Sequence, residues 1–128
     1  MTQDEIQELG KIGREMDAVI AEKVMGLTLD WEFAEFYDGE PAVPTLRYKY
    51  DEIGMLPFYS TDITDAWAVV EKMCNETGCD IIKVCKRDPE LLRGEWSCNF
   101  GRGFEAFADT APLAICRAAL MAEIKQQE

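Results

Sequence analysis

Apolar residues recur through residues 2 to 25 at Ile6, Leu9, Ile12, Met16, Val19, Ile20 and Val24, with acids and bases between them, the spacing of one stripe on a helix. Gly26 supplies the stop. From Leu27 to Phe58 the pattern changes to short aromatic and β-branched runs, Trp31-Phe33-Phe36-Tyr37 and Leu46-Tyr48-Tyr50, divided by Asp38-Gly39-Glu40-Pro41. This predicts a loose hairpin, or a strand with an irregular excursion. A second helical stripe runs through Ile63, Ala66, Trp67, Val70, Met73 and Cys74, predicting a helix over 62–77 with Ser60 or Thr61 as its cap and Trp67 in the core. Asp80 to Lys86, Trp96 to Phe100 and Gly103 to Ala108 read as three strands, antiparallel because their links are short. Asp109-Thr110 caps a last helix with Pro112 in its first turn and a stripe at Leu113, Cys116, Leu120 and Ile124.

The resulting fold class is α+β, with an antiparallel sheet packed between helices. An α-β-β-β-α core carries an added N-terminal helix and an irregular β segment, all in a single domain over residues 1–128. Double-stranded-RNA-binding domains share the α-β-β-β-α order, but they need Lys and Arg facing phosphates. Here 13 Lys plus Arg stand against 25 Asp plus Glu, a net charge of -12, which disfavours bulk nucleic-acid binding and anionic membranes.

Histidine is absent, which removes His-based general-base and metal chemistry. No carboxylate pair stands out from the general acidity, so no catalytic residue is assigned and a binding protein is expected rather than an enzyme. The cysteines Cys74, Cys79, Cys85, Cys98 and Cys116 are an odd number without a C-x-x-C pair and read as reduced, mostly buried thiols, with no metal and no cofactor expected. The start MTQDEIQELG lacks a signal-peptide pattern and no apolar run reaches a membrane span of about 20 residues, which predicts a soluble, cytoplasmic protein.

Arg117 stands four residues after Leu113 and three before Leu120, at the border of an apolar stripe, so its guanidinium needs a partner. An ion pair with Asp62 or Glu71 would satisfy it, and so would a ligand phosphate or carboxylate held on an anion-binding fork. Tyr59, Ser60, Thr61 and Asp62 place hydroxyls and a carboxylate at a helix N-terminus, where they serve as a cap or as ligand contacts; Thr110 has the same two roles at the last helix. Gly101-Arg102-Gly103 lacks the G-x-G-x-x-G pattern and reads as a hairpin turn. Arg102 nevertheless closes the one locally basic stretch, with Lys83, Lys86, Arg87 and Arg93, and Trp96 within it is suited to stacking on a base.

Three stretches together resemble the small phage αβα-sandwich domain family of phages and prophages of Gram-positive bacteria. They are Ala21-Glu22-Lys23-Val24-Met25-Gly26; Pro57-Phe58-Tyr59-Ser60-Thr61-Asp62-Ile63 running into Ala66-Trp67-Val69-Val70-Glu71-Lys72; and Ala108-Asp109-Thr110-Ala111-Pro112-Leu113-Ala114-Ile115-Cys116-Arg117-Ala118-Ala119-Leu120. The chain departs from the family pattern in Leu27, in its longer first helix and in the larger 27–58 excursion.

The resemblance implies a sheet between helices and an infected bacterial cell as the setting. It also makes a sponge plausible, a protein that binds a nucleotide immune signal, such as a cyclic ADP-ribose isomer or a cyclic oligonucleotide, and withholds it uncleaved. The ligand-binding residues expected are Tyr59, Ser60, Thr61, Asp62, Trp96, Arg102, Thr110 and Arg117. The alternative is an acidic protein-binding inhibitor of a host or phage protein. A first helix of about 36 Å and the aromatic cluster of 27–58 further predict a homo-oligomer, a dimer or a dimer of dimers, joined through those two surfaces.

Overall fold

The computed structural model describes residues 13–35, 42–47, 53–77, 83–86, 96–100 and 105–127. Among the described residues the first helix is α1, Gly13–Val19, which continues as a wider π-turn, Ile20–Val24. Met16, Ile20 and Val24 of the predicted stripe are buried, together with Ala21, while Val19 is only partly covered. Ile6, Leu9 and Ile12 lie outside the described residues. The π-turn ends with Met25 N–H donating to the Ile20 carbonyl at 2.9 Å, and Gly26 then turns the chain with a φ of 69°, a left-handed conformation that glycine adopts at little steric cost.

The described residues after Gly26 form regular strands, within the hairpin that the sequence predicts. Strands β1 (Thr28–Glu35), β2 (Val43–Arg47) and β3 (Ile53–Gly54) form a three-stranded antiparallel sheet in that order. Asp30 opposes Thr45 and Leu29 opposes Leu46, and the register then shifts before Glu35 meets Val43. The buried Asp30 carboxylate fixes this hairpin by accepting from Arg47 Nη2 at 2.7 Å and Nε at 3.0 Å.

Helix α2 spans Ile63–Thr77, and the predicted three strands are β4 (Lys83–Lys86), β5 (Trp96–Asn99) and β6 (Glu105–Ala108), antiparallel in the order β4-β5-β6. Helix α3, Ala111–Gln127, packs on this second sheet, on α2 and on the π-turn. The single stripe expected for it is therefore too narrow. Ala114, Ile115, Cys116, Ala118, Ala119, Leu120 and Ala122 are buried around most of its girth, whereas Leu113 is only partly covered. A helix touched from several sides is apolar nearly all round, and its alanines let neighbours approach closely.

That close approach decides the orientation of α2. Its buried side is Ala66, Val69, Val70 and Met73, while Trp67, expected in the core, is 50% exposed. An indole would hold α2 away from the alanine-rich surface of α3, so the small side chains face inward. Among the described residues the fold is mixed α+β, helices with two small antiparallel sheets, in keeping with an αβα sandwich.

Candidate functional site

Two places in this fold receive most of the residues singled out from sequence. The first is the turn before α2. Phe58 carbonyl accepts from Thr61 N–H at 3.2 Å and Asp62 N–H at 2.8 Å, winding the chain into the helix. The cap is Asp62 rather than Ser60 or Thr61: its Oδ1 accepts from the N–H groups of Thr64 at 2.8 Å and Asp65 at 3.2 Å. Asp65 reaches back and accepts the Phe58 N–H at 2.8 Å.

Ser60 faces the other way. Its hydroxyl donates to the Gly13 carbonyl at 2.9 Å and its N–H donates to Asp17 Oδ1 at 2.7 Å. Tyr59 and Ser60 are both buried, so they serve the interior, while Thr61 and Asp62 remain exposed. Arg14 completes the network. Its Nη1 donates to Asp17 Oδ2 at 2.7 Å and to the Pro57 carbonyl at 3.1 Å, its Nη2 donates to the Leu56 carbonyl at 2.7 Å, and its guanidinium carbon lies 3.9 Å from the Phe58 ring centre.

Asp17 and Arg14 escaped the sequence reading although a signal was present. Asp17 stands three residues before Ile20 and seven before Val24, on the stripe itself, and a carboxylate there must find donors. Burial raises the Asp17 pKa above its ordinary 3.8, against the opposing pull of the Ser60 hydrogen bonds and the Arg14 charge. Burial likewise pushes the Cys116 thiol well up, reinforced by Asp17 and Cys98, which keeps it protonated and unreactive. Cys98 and Cys116 are buried free thiols and Cys74 is a partly covered one.

The second place is the corner where β5, β6 and α3 meet. Trp96 lies opposite Lys86 on one side and Ala108 on the other. Directly paired residues share a sheet face, so Trp96 stands with Cys98, Ala106 and Ala108 on the buried face, itself only partly covered, and the exposed Lys86 ammonium rises beside it. After Ala108 the chain turns at exposed Asp109 and Thr110. The Thr110 carbonyl accepts from Ala114 N–H at 3.1 Å, which makes Thr110 the residue that opens α3.

Arg117 reaches back to this corner. The partner expected for it was Asp62 or Glu71, but its Nη1 donates instead to the Phe107 carbonyl at 2.8 Å, because α3 lays this residue against β6. Its Nε is buried and has no hydrogen-bond partner among the described residues. Burial lowers the Arg117 pKa from its ordinary value, with the Asp109 charge acting the other way. Trp96, Thr110 and Arg117 are thus gathered around the end of β6, while Tyr59 to Asp62 belong to the separate turn before α2, and Arg102 lies outside the described residues. The corner combines an aromatic face, a hydroxyl at a helix start and a guanidinium with an unspent donor, parts suited to holding an anion, and the Lys86 ammonium stands one strand beyond Trp96.

The comparisons with known proteins agree with this architecture. The model of the phage ABA sandwich domain family matches residues 18–120. A solved phage protein from Bacillus cereus is similar over 88% of this chain and 87% of its own, with 29% identity and a TM-score of 0.56. No functionally curated protein matches the chain. No helix among the described residues is long and apolar enough to cross a membrane.

Proposed function

The chain belongs to the phage ABA sandwich domain family, and from that premise we propose that it is a phage binding protein that sequesters a nucleotide-derived bacterial immune signal without cleaving it. The observation that carries this reading is the Arg117 guanidinium, whose buried Nε lacks a partner among the described residues while its Nη1 holds the Phe107 carbonyl, next to the Ala108 that pairs with Trp96. Leaving a buried donor unpaired costs about 1–3 kcal/mol, a cost that a bound phosphate oxygen would remove. Trp96 then stacks on the base and Thr110 meets the anion at the start of α3. In the same reading the chain is a homo-oligomer, and Trp31, 57% exposed on β1, is the apolar surface that supports this.

The test is incubation of the purified chain with a cyclic ADP-ribose isomer or a cyclic oligonucleotide, followed by filtration, heating and mass spectrometry. The expected result is loss of free signal and its intact return on heating. Arg117→Lys keeps the charge but removes the Nε–H, and it should weaken retention at least about tenfold. No loss of free signal overturns the proposal, and recovery of a cleaved product makes the protein an enzyme.

A further inference from the structure

The outward side of α2 carries a surface that the nucleotide corner does not use. Ile63 and Trp67, one helical turn apart, are 51% and 50% exposed, and Cys74 continues their strip half-covered. Glu71, exposed, stands one turn beyond Trp67, and the exposed carboxylate of Asp62 stands at the other end. The fold buries the opposite side of α2, so this apolar strip is left facing water between two acids.

The charge on the strip selects its occupant. A second copy would bring its own Asp62 and Glu71 against the same acids at this face. A cationic segment reverses that repulsion. We infer that the Ile63–Trp67 face of α2 is a docking surface for a basic amphipathic helix of another protein. Its apolar side chains lie on Ile63 and Trp67, its Lys or Arg residues meet Asp62 and Glu71, and a further cation sits over the indole. From Ile63 to Glu71 the strip is about 12 Å long, so about two or three turns of a partner helix cover it. This inference is independent of the nucleotide reading, since it uses none of the residues at the β6 corner.

Calorimetric titration of the full chain with a synthetic amphipathic Leu/Lys helix tests it. The comparison peptide has the same composition, scrambled so that it forms no apolar face. The amphipathic peptide should bind at least about tenfold more tightly than the scramble at physiological ionic strength. Trp67→Ser and Ile63→Ser should each bring its affinity down to that of the scramble, and Glu71→Lys should weaken it several-fold. Circular dichroism melting should stay within a few degrees of the parent in all three variants, because Ile63 and Trp67 are half exposed and Glu71 is exposed. Equal affinity for the two peptides overturns the inference, as does undiminished binding by Trp67→Ser. A dimer in light scattering that Trp67→Ser converts to a monomer also overturns it, by assigning the face to a second copy.

Discussion

Arg14 and Arg117 are both helical arginines that reach backbone carbonyls, and they differ in what is left over. Arg14 makes three hydrogen bonds, to Asp17, Pro57 and Leu56, and stacks on Phe58. Arg117 donates to Phe107 and keeps a buried Nε without a partner among the described residues. Two guanidinium groups in one small fold thus serve different ends. A guanidinium whose hydrogen bonds tie α1 to the turn before α2 is a rivet, and its cost of burial is met within the fold. One that keeps an unsatisfied buried donor carries a desolvation cost that only an added acceptor removes, which is why the candidate site lies at β6 and not at the more elaborate network around Asp17.

The strongest way to break this comparison is to empty the rivet. Asp17→Ala removes the acceptor shared by Arg14 and the Ser60 N–H, leaving a part-buried guanidinium and a buried N–H without it. It should cost about 3 kcal/mol in urea unfolding at neutral pH. A loss below about 1 kcal/mol would mean that the network around Asp17 is ornamental and that the distinction from Arg117 fails.

Acid titration sharpens the same point. Burial raises the Asp17 pKa above its ordinary 3.8, so across the interval between the unfolded and folded values the folded chain holds a proton that the unfolded chain has released. Stability from this group is complete below the unfolded value and is lost as pH rises through the folded one. The stability of the parent relative to Asp17→Asn should therefore fall as pH rises above about 4, by at most about 1.4 kcal/mol per pH unit. A relative stability that grows with pH would show the Arg14 charge outweighing burial.

The smallest stability effect is expected at the other arginine. Arg117→Met keeps the bulk and removes a half-buried charge together with its unpaired Nε, so unfolding stability should change by less than about 1 kcal/mol. The proposed retention of a nucleotide signal should nevertheless be lost. A destabilisation above about 2 kcal/mol would place Arg117 with Arg14 as a structural group.

Much of the local structure was legible in the residues. Gly26 at positive φ, the boundaries of α2, the three strands of the second sheet and Pro112 in the first turn of α3 all follow from short-range rules about steric freedom, capping and alternation. The candidate site was legible in part. Arg117 was conspicuous because a charge bordered an apolar stripe, and Trp96 because it stood in a basic stretch. Tyr59 and Ser60 were expected as ligand contacts, with Ser60 or Thr61 as the helix cap, but both Tyr59 and Ser60 are buried and Asp62 caps α2; a helix-capping motif looks the same whether its hydroxyls face a ligand or a buried carboxylate.

What the sequence by itself determined was the order and kind of the elements, the acidic balance, the absence of histidine and the presence of an arginine in need of a partner. Only the tertiary structure decided which partner each polar group found. Ser60 meets Asp17 across 43 residues of chain and Arg14 meets Leu56 across 42, contacts that no local preference encodes. It also decided which side of α2 was buried, because Trp67 fits the helical period as well as Val69 does, and the choice rested on the alanine surface of α3. Periodicity fixes which residues share a face; the shape and polarity of what packs against them select the face that is buried.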